Sequence, residues 1–205
     1  MKERPIPLNS ESVRAILDGR KTQTRRVIKS QPELTIEGKL NTSQEIINKF
    51  VQHFLFHCPY GQVGDILKIK EPWATENRYN HLKPSKVPQT AEIFYLADGG
   101  YSPFKMGKVR SPRFMPLLFS RIPVEITEIR VERVQEITYD DCWAEGINKN
   151  LPTERKINKI VTQQVTPKTY FQELWDSLNA KRGYGWEKNP WVFVISFRKV
   201  IKEQR

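Results

Sequence analysis

The sequence predicts an α+β fold dominated by strands, a small β-barrel with short helices at its rim. Three observations carry that prediction. Strand-like runs at 66–70, 124–134 and 191–197 are rich in β-branched and aromatic residues, whereas the helical segments (10–18, after Thr138, and after Thr166) are short. No internal repeat is visible, and no window approaches the ~18 apolar residues of a membrane span. A chain of 205 residues, 38% hydrophobic, with five Trp, seven Tyr and ten Phe, has enough large side chains for a core of its own. It is read as one domain with polar insertions at about 30–48, 78–90 and 148–165.

Taken in order, residues 10–18 read as a helix. Asn9 or Ser10 caps its N-terminus, Val13, Ile16 and Leu17 recur at helical spacing, and Gly19 stands where a left-handed residue ends a helix. Residues 23–28 follow as a strand carrying a basic cluster, and 30–48 is polar, aperiodic and loop-like. The turn Gly61-Gln62-Val63-Gly64-Asp65 leads into a strand at 66–70 that stops at Pro72. A basic, proline-bearing loop at 78–88 precedes an apolar strand at 92–97. In the long strand 124–134 the apolar phase changes from Val124 and Ile126 to Ile129 and Val131, which predicts a bulge near Thr127 or Glu128. Thr138-Tyr139-Asp140-Asp141 has capping-box spacing, with aspartate for the usual glutamate, and starts a short helix ending at Gly146. The basic stretch 148–165 reads as a loop. Thr166-Pro167 opens a helix whose Tyr170, Phe171, Leu174 and Leu178 line one face, and 191–197, apolar on both phases, is a strand buried on both sides.

A formal charge of +11 suits a polyanionic partner, nucleic acid first and anionic membrane second. Met1-Lys2-Glu3-Arg4-Pro5 lacks the apolar run of a signal peptide, and Cys58 and Cys142 offer no disulfide framework, so a cytoplasmic protein is expected. His53, His57 and Cys58 have i, i+4 spacing plus a thiol, but no further ligand stands at metal-site spacing. No phosphate-cradling glycine loop or nucleophile elbow occurs either, and neither metal nor other cofactor is expected.

The densest chemistry lies in Asp18-Gly19-Arg20-Lys21-Thr22-Gln23-Thr24-Arg25-Arg26, four cations and two threonines with no carboxylate after Asp18. Its plain reading is a solvated charge run favoured by a helix C-terminus. Against that, Thr22, Thr24 and Arg26 share strand parity and would present two hydroxyls and a guanidinium to a phosphate or a polar base edge.

The spacing Gly19-x-Lys21-x-x-Thr24-x-Arg26 resembles the signature of the ASCH domain, a PUA-like β-barrel family linked to RNA, whose common pattern is Gly-x-Lys-x-x-Glu-x-Arg. Threonine at position 24 departs from that glutamate. The departure is similar to a branch of small bacterial ASCH proteins that resemble amidohydrolases removing the acetyl group from N4-acetylcytidine. There a lysine and a threonine of this motif act with a glutamate on a later strand, and Glu125 is the matching position. Arg4-Pro5-Ile6 through Arg26, Cys58-Pro59-Tyr60-Gly61, Gly64-Asp65, Glu71-Pro72-Trp73-Ala74, Met115-Pro116, Ser120-Arg121 and Asn189-Pro190-Trp191-Val192 look like the longer ASCH proteins of phages and prophages. Where those often show Met-Pro-Arg, this chain reads Met115-Pro116-Leu117 and lacks the cation.

The resemblance implies a binder of RNA or a modified nucleoside. Its enzymatic form hydrolyses an amide on N4-acylated cytidine, with Thr24 as nucleophile, Lys21 as its activator and Glu125 as proton relay. The chemistry is sound in principle: a desolvated lysine of lowered pKa takes a hydroxyl proton, and a buried carboxyl of raised pKa moves protons near neutrality. Strand parity sets Lys21 and Thr24 on opposite faces, so the proposal requires Lys21 to lie in the turn after Gly19. Arg20, Thr22, Arg25 and Arg26 form the expected substrate-binding rim. Glu71 beside Trp73 is expected to read an exocyclic amine while the indole stacks on a base, with Tyr60 and Arg121 as further pocket residues. Glu125 as a surface carboxylate paired with an arginine, and Trp73 as plain core, stand beside these readings. A non-catalytic RNA or modified-base module and a ribonuclease remain open as alternative functions.

Overall fold

The architecture comes from a computed structural model and is described for residues 1–31, 44–99, 101, 104–157 and 160–200. In chain order the elements are β1 (Glu3–Pro7), α1 (Ser10–Leu17), β2 (Gln23–Val27), α2 (Gln44–Phe56), β3 (Ile66–Lys70), β4 (Trp73–Thr75), β5 (Ile93–Tyr95), β6 (Pro123–Arg133), α3 (Tyr139–Ala144), β7 (Glu154–Ile157), β8 (Ile160–Gln164), α4 (Pro167–Asn179) and β9 (Trp191–Lys199). The fold is α+β and strand-rich, as the composition of the runs predicts. Among the described residues no helix is long and apolar enough to cross a membrane.

Five strands form the central sheet in the order β1-β3-β6-β9-β2, with β1 parallel to β3 and the other pairs antiparallel. The sheet is curled but its hydrogen-bonded ladder is not closed. Its two edge strands face each other across a seam, where an Arg26 Nη of β2 donates to the Pro7 carbonyl of β1 at 2.6 Å. That seam positions the site described below.

Strand β9 separates two cores, which explains why it is apolar on both phases. Phe193, Ile195 and Phe197 join Ile6, Val13, Leu67 and Ile126 on one face, against α1 and α2. Val192 and Val194 join Val134, Cys142, Phe171, Trp175 and Trp186 on the other, against α3 and α4. The bulge in β6 falls at Thr127: Ile126 pairs with Phe197 and Glu128 with Ser196, leaving Thr127 without a partner position. One extra residue flips side-chain parity, so Val124 and Ile126 before it and Val131 after it all reach the same core.

The helix signals in the sequence hold where they rest on caps. The Asn9 side chain accepts from Ser12 N–H, Thr138 forms its box with Asp141, and Thr166 caps α4 with Pro167 at the first position. Polarity misleads elsewhere. The end of the expected loop 30–48 is α2, whose Phe50, Val51, Phe54 and Leu55 pack on the first core; residues 32–43 lie outside the described ones. The expected loop 148–165 contains the hairpin β7–β8, with residues 158–159 outside the description. The face of α4 is also rotated from the predicted one. Phe171, Trp175 and Asn179, spaced by four, are buried, while Leu178 is 52% exposed. A four-residue step tracks a helix face better than the mixed stripe 170, 171, 174 and 178.

Candidate functional site

A cleft of about 280 Å³ opens at the seam between β1 and β2, with α4 as its far wall. From β1 and the turn before α1 come Pro7, Leu8 and Asn9; from β2 come Thr24, Arg25, Arg26 and Val27; from α4 come Phe171, Leu174, Trp175 and Leu178. Lys21, Lys29, Tyr60, Glu145 and Arg182, with Ser12 and Asn179, complete the charged and polar lining.

Lys21 reaches this cleft from a turn and not from a strand. Helix α1 ends at Gly19, whose φ of 74° is the left-handed conformation expected there. The N–H groups of Arg20 and Lys21 then both donate to the Ala15 carbonyl, at 2.8 and 2.9 Å, and β2 starts only at Gln23. Lys21 thus belongs to the turn and Thr24 to the strand, and the two residues of opposite parity line one cavity. Gly146 makes room for this: its φ is 95°, and a Cβ there would lie 3.0 Å from Ala15 Cβ and 3.1 Å from Lys21 Cβ.

The ammonium of Lys21 is buried and donates to the Glu145 carbonyl and to Glu145 Oε2, both at 2.7 Å. Burial lowers its pKa from the ordinary 10.5, with the nearby Arg26 and Arg25 acting in the same direction and Glu145 opposing. Thr24 is buried too, and its hydroxyl makes no hydrogen bond to any described residue. The site therefore holds a desolvated lysine and a hydroxyl without a partner among the described residues, in one cleft.

The carboxylate in the cleft is Glu145, not Glu125. Glu125 lies between the buried Val124 and Ile126, on the opposite side of β6, and accepts from Arg198 Nε and Nη at 3.0 and 2.9 Å. Thr24 pairs with Ile195 and Glu125 with Arg198, so two strand spacings and three residues of rise separate them, about 14 Å between Cα atoms. The structure does not bring Glu125 to Lys21 and Thr24; strand alternation, set before the bulge by Val124 and Ile126, turns it outward.

Arg25 is a buried hub and not a rim cation. Its side chain is 1% exposed and bridges Glu132 at 2.6 Å, Asp141 at 2.9 Å and Glu145 at 3.3 Å, with Gln23 at 2.7 Å and the Phe171 ring beneath it. For Asp141 burial works against the charge. Arg25, the Thr138 N–H, Gln23 and Arg130 outweigh it and pull its carboxyl down to about 2. Arg20 is turned away as well, donating to Asp18 at 2.9 Å and to the Gly146 carbonyl at 2.9 Å. Thr22 is exposed and lies outside the cleft lining. Of the predicted binding residues, Arg25, Arg26 and Tyr60 line it, Arg25 as a neutralised group.

The second predicted group is a separate ion cluster. Glu71, fully buried, accepts from Arg121 at 2.9 and 3.1 Å, and Arg121 also holds Asp98 at 2.7 and 2.6 Å over the Tyr95 ring. Burial pushes the Glu71 carboxyl up and Arg121 pulls it back. Neither residue lines the cleft. Trp73 is wholly buried among Met115, Phe119 and Val87, so it is core and has no face free to stack on a base. His53 on α2 and His57 just beyond its end are exposed, with rings 4.4 Å apart, and among the described residues no group of three or more His, Cys, Asp and Glu could hold a metal ion.

Sequence reasoning missed Glu145, Lys29, Arg182 and the apolar wall of α4. Only Glu145 left a signal, four residues after Asp141 and capping the C-terminus of α3, so that both reach Arg25.

No protein-family model matches this chain, and no curated protein sequence matches it. Among solved structures it is similar to the ASCH domain from Lactobacillus crispatus JV V101, known from a high-resolution crystal structure. The likeness is 12% in identity with a TM-score of 0.37, and covers 92% of this chain and 70% of that one.

Proposed function

We propose that this chain is an ASCH-type protein whose seam cleft takes a nucleoside, free or in RNA, and that it cleaves an N4-acyl group from cytidine. The observation that carries the reading is the convergence of Lys21 and Thr24 in one cleft despite their opposite strand parity. The cleft volume, at the lower end of ligand-pocket sizes (~300–1,000 Å³), suits one nucleoside. The apolar wall of α4 offers Leu174, Trp175 and Leu178 to a base.

In this reading the neutral Lys21 amine takes the Thr24 hydroxyl proton as the oxygen attacks the acyl carbon. The tetrahedral adduct collapses, the C–N bond breaks, and Lys21 returns the proton to the departing exocyclic nitrogen. Water, deprotonated by Lys21 in the same way, then releases the acyl group from Thr24 as a carboxylic acid. Glu145 replaces Glu125 as the carboxylate of the set: it orients Lys21 and tunes its charge.

A non-catalytic module is favoured by one observation, the two 2.7 Å hydrogen bonds that hold Lys21 as an ammonium donor. The test is single-turnover assay of N4-acetylcytidine with wild type, Lys21→Ala and Thr24→Val, together with nucleoside affinity. Turnover by wild type, lost in both variants with affinity retained, is expected. No turnover by wild type with measurable nucleoside affinity leaves the module.

A further inference from the structure

The cations of the cleft divide into two sets. Lys21 and Arg25 are neutralised by Glu145, Glu132 and Asp141. Arg26, Lys29 and Arg182 line the same cleft with no carboxylate in salt-bridge range among the described residues. Six arginines elsewhere, Arg20, Arg78, Arg121, Arg130, Arg155 and Arg198, each hold at least one carboxylate, while Arg110 and Arg133, which hold none among the described residues, donate to backbone carbonyls instead. Three unpaired cations on one small cavity repel each other, a cost that an anionic ligand removes.

The geometry sharpens this. Arg182 ends the turn after α4 and comes close enough to Arg26 to disfavour the charge on Arg26, and the Tyr60 phenol feels both guanidiniums. Arg182 makes a single long hydrogen bond, 3.4 Å to Asn179. Arg26 spends one Nη on the Pro7 carbonyl and leaves its buried Nε without a partner among the described residues. The Tyr60 hydroxyl is also free of partners among them. Two guanidiniums, an ammonium and a phenol thus line one cleft with donors to spare, and Lys21 and Thr24 line the same cleft. Guanidinium pairs of this kind match the oxygens of a phosphate.

We propose that Arg26, Arg182 and Lys29, with Tyr60, form a phosphate subsite, so that the cleft takes a nucleotide and not a neutral nucleoside. The inference rests on the reading of the cleft as a nucleoside site and names its ligand more narrowly. The phosphate belongs either to a free mononucleotide or to an RNA chain.

Calorimetric titration with cytidine, cytidine 5′-monophosphate and a 5′-phosphorylated trinucleotide of RNA tests it. At low ionic strength the monophosphate is expected to bind roughly tenfold to a hundredfold tighter than cytidine, as charge-assisted hydrogen bonds imply, with the gap narrowing as salt rises. Arg182→Gln brings the ratio close to one, while Lys181→Gln, the same loss of charge on the exposed neighbour outside the cleft, keeps it. A trinucleotide that binds tighter still, through Arg182, assigns the phosphate to RNA; equal affinity assigns it to the mononucleotide. Equal binding of cytidine and its monophosphate by wild type overturns the subsite, and so does equal damage from Lys181→Gln and Arg182→Gln. Hydrolysis of N4-acetylcytidine with no gain from a phosphate sinks this inference and spares the hydrolase. A phosphate preference without hydrolysis does the reverse.

Discussion

Exchanging a single carboxylate oxygen at two glutamates separates the site as folded from the site as aligned. Glu145 and Lys21 are 5% and 3% exposed and meet at 2.7 Å, and Glu145 also faces Arg25 at 3.3 Å. In Glu145→Gln the ammonium keeps the backbone carbonyl of residue 145 and meets a neutral amide in place of the carboxylate, and Arg25 keeps Glu132 and Asp141. Breaking a buried pair costs about 3–5 kcal/mol, and the surviving hydrogen bonds place this variant near the lower figure. Glu125 and Arg198 are 25% and 70% exposed, so Glu125→Gln costs about 0–1 kcal/mol. Urea unfolding at neutral pH measures both. The pH dependence adds a second readout. The folded pKa of Lys21 lies below its unfolded value of 10.5, because burial disfavours the ammonium. Stability therefore rises with pH between the depressed folded value and 10.5, where the unfolded chain still holds the proton that the folded one has released. Without Glu145 the folded pKa falls further and that window widens toward lower pH, as does the alkaline limb of turnover in N4-acetylcytidine hydrolysis. Equal destabilisation by the two variants, or turnover lost in Glu125→Gln and kept in Glu145→Gln, would refute the assignment of the cleft carboxylate.

Asp141 contributes stability in the opposite pH range. Its folded pKa of about 2 lies below the ordinary 3.8, so its share is full above 3.8 and lost as pH falls toward 2; with solvent screening it is about 1–2 kcal/mol, and Asp141→Asn should flatten the acid limb of a stability–pH curve by that amount. Gly146→Ala forces a non-glycine residue to φ 95° with its Cβ against Ala15 and Lys21, and is expected to cost about 2 kcal/mol and to lower turnover by displacing Lys21. Its thermal midpoint and its kcat, measured together, check both effects. Trp73→Ala is expected to cost about 3–5 kcal/mol through the cavity it leaves, with nucleoside affinity of the folded protein retained, because the indole packs in a core away from the cleft. Loss of affinity without loss of stability, read by denaturation and calorimetry, would restore Trp73 as a base platform.

Local signals were legible in the sequence wherever the physics is local. The Asn9, Thr138 and Thr166 caps, the left-handed Gly19 and the alternation of β3 depend on neighbours a few residues away. The bulge at Thr127 was legible as a change of apolar phase, because both halves of β6 must feed one core. Helix α2 and the β7–β8 hairpin were not, since tertiary packing and pairing overrode their polar composition.

By itself the sequence set Lys21 and Thr24 three residues apart with opposite strand parity, so that a shared cleft demanded a turn between α1 and β2. Only the tertiary structure decided which carboxylate joins them and which cations face the cleft. Glu125 and Glu145 look equally available in the chain. Strand alternation turns the first toward Arg198, while Gly146 and the bridge at Lys21 seat the second at the ammonium. Arg25 and Arg26 are neighbours in sequence with opposite fates, one neutralised by carboxylates of β6 and α3, the other left unpaired at the seam of the sheet. A charge's partner is set by long-range packing, and composition carries no record of it.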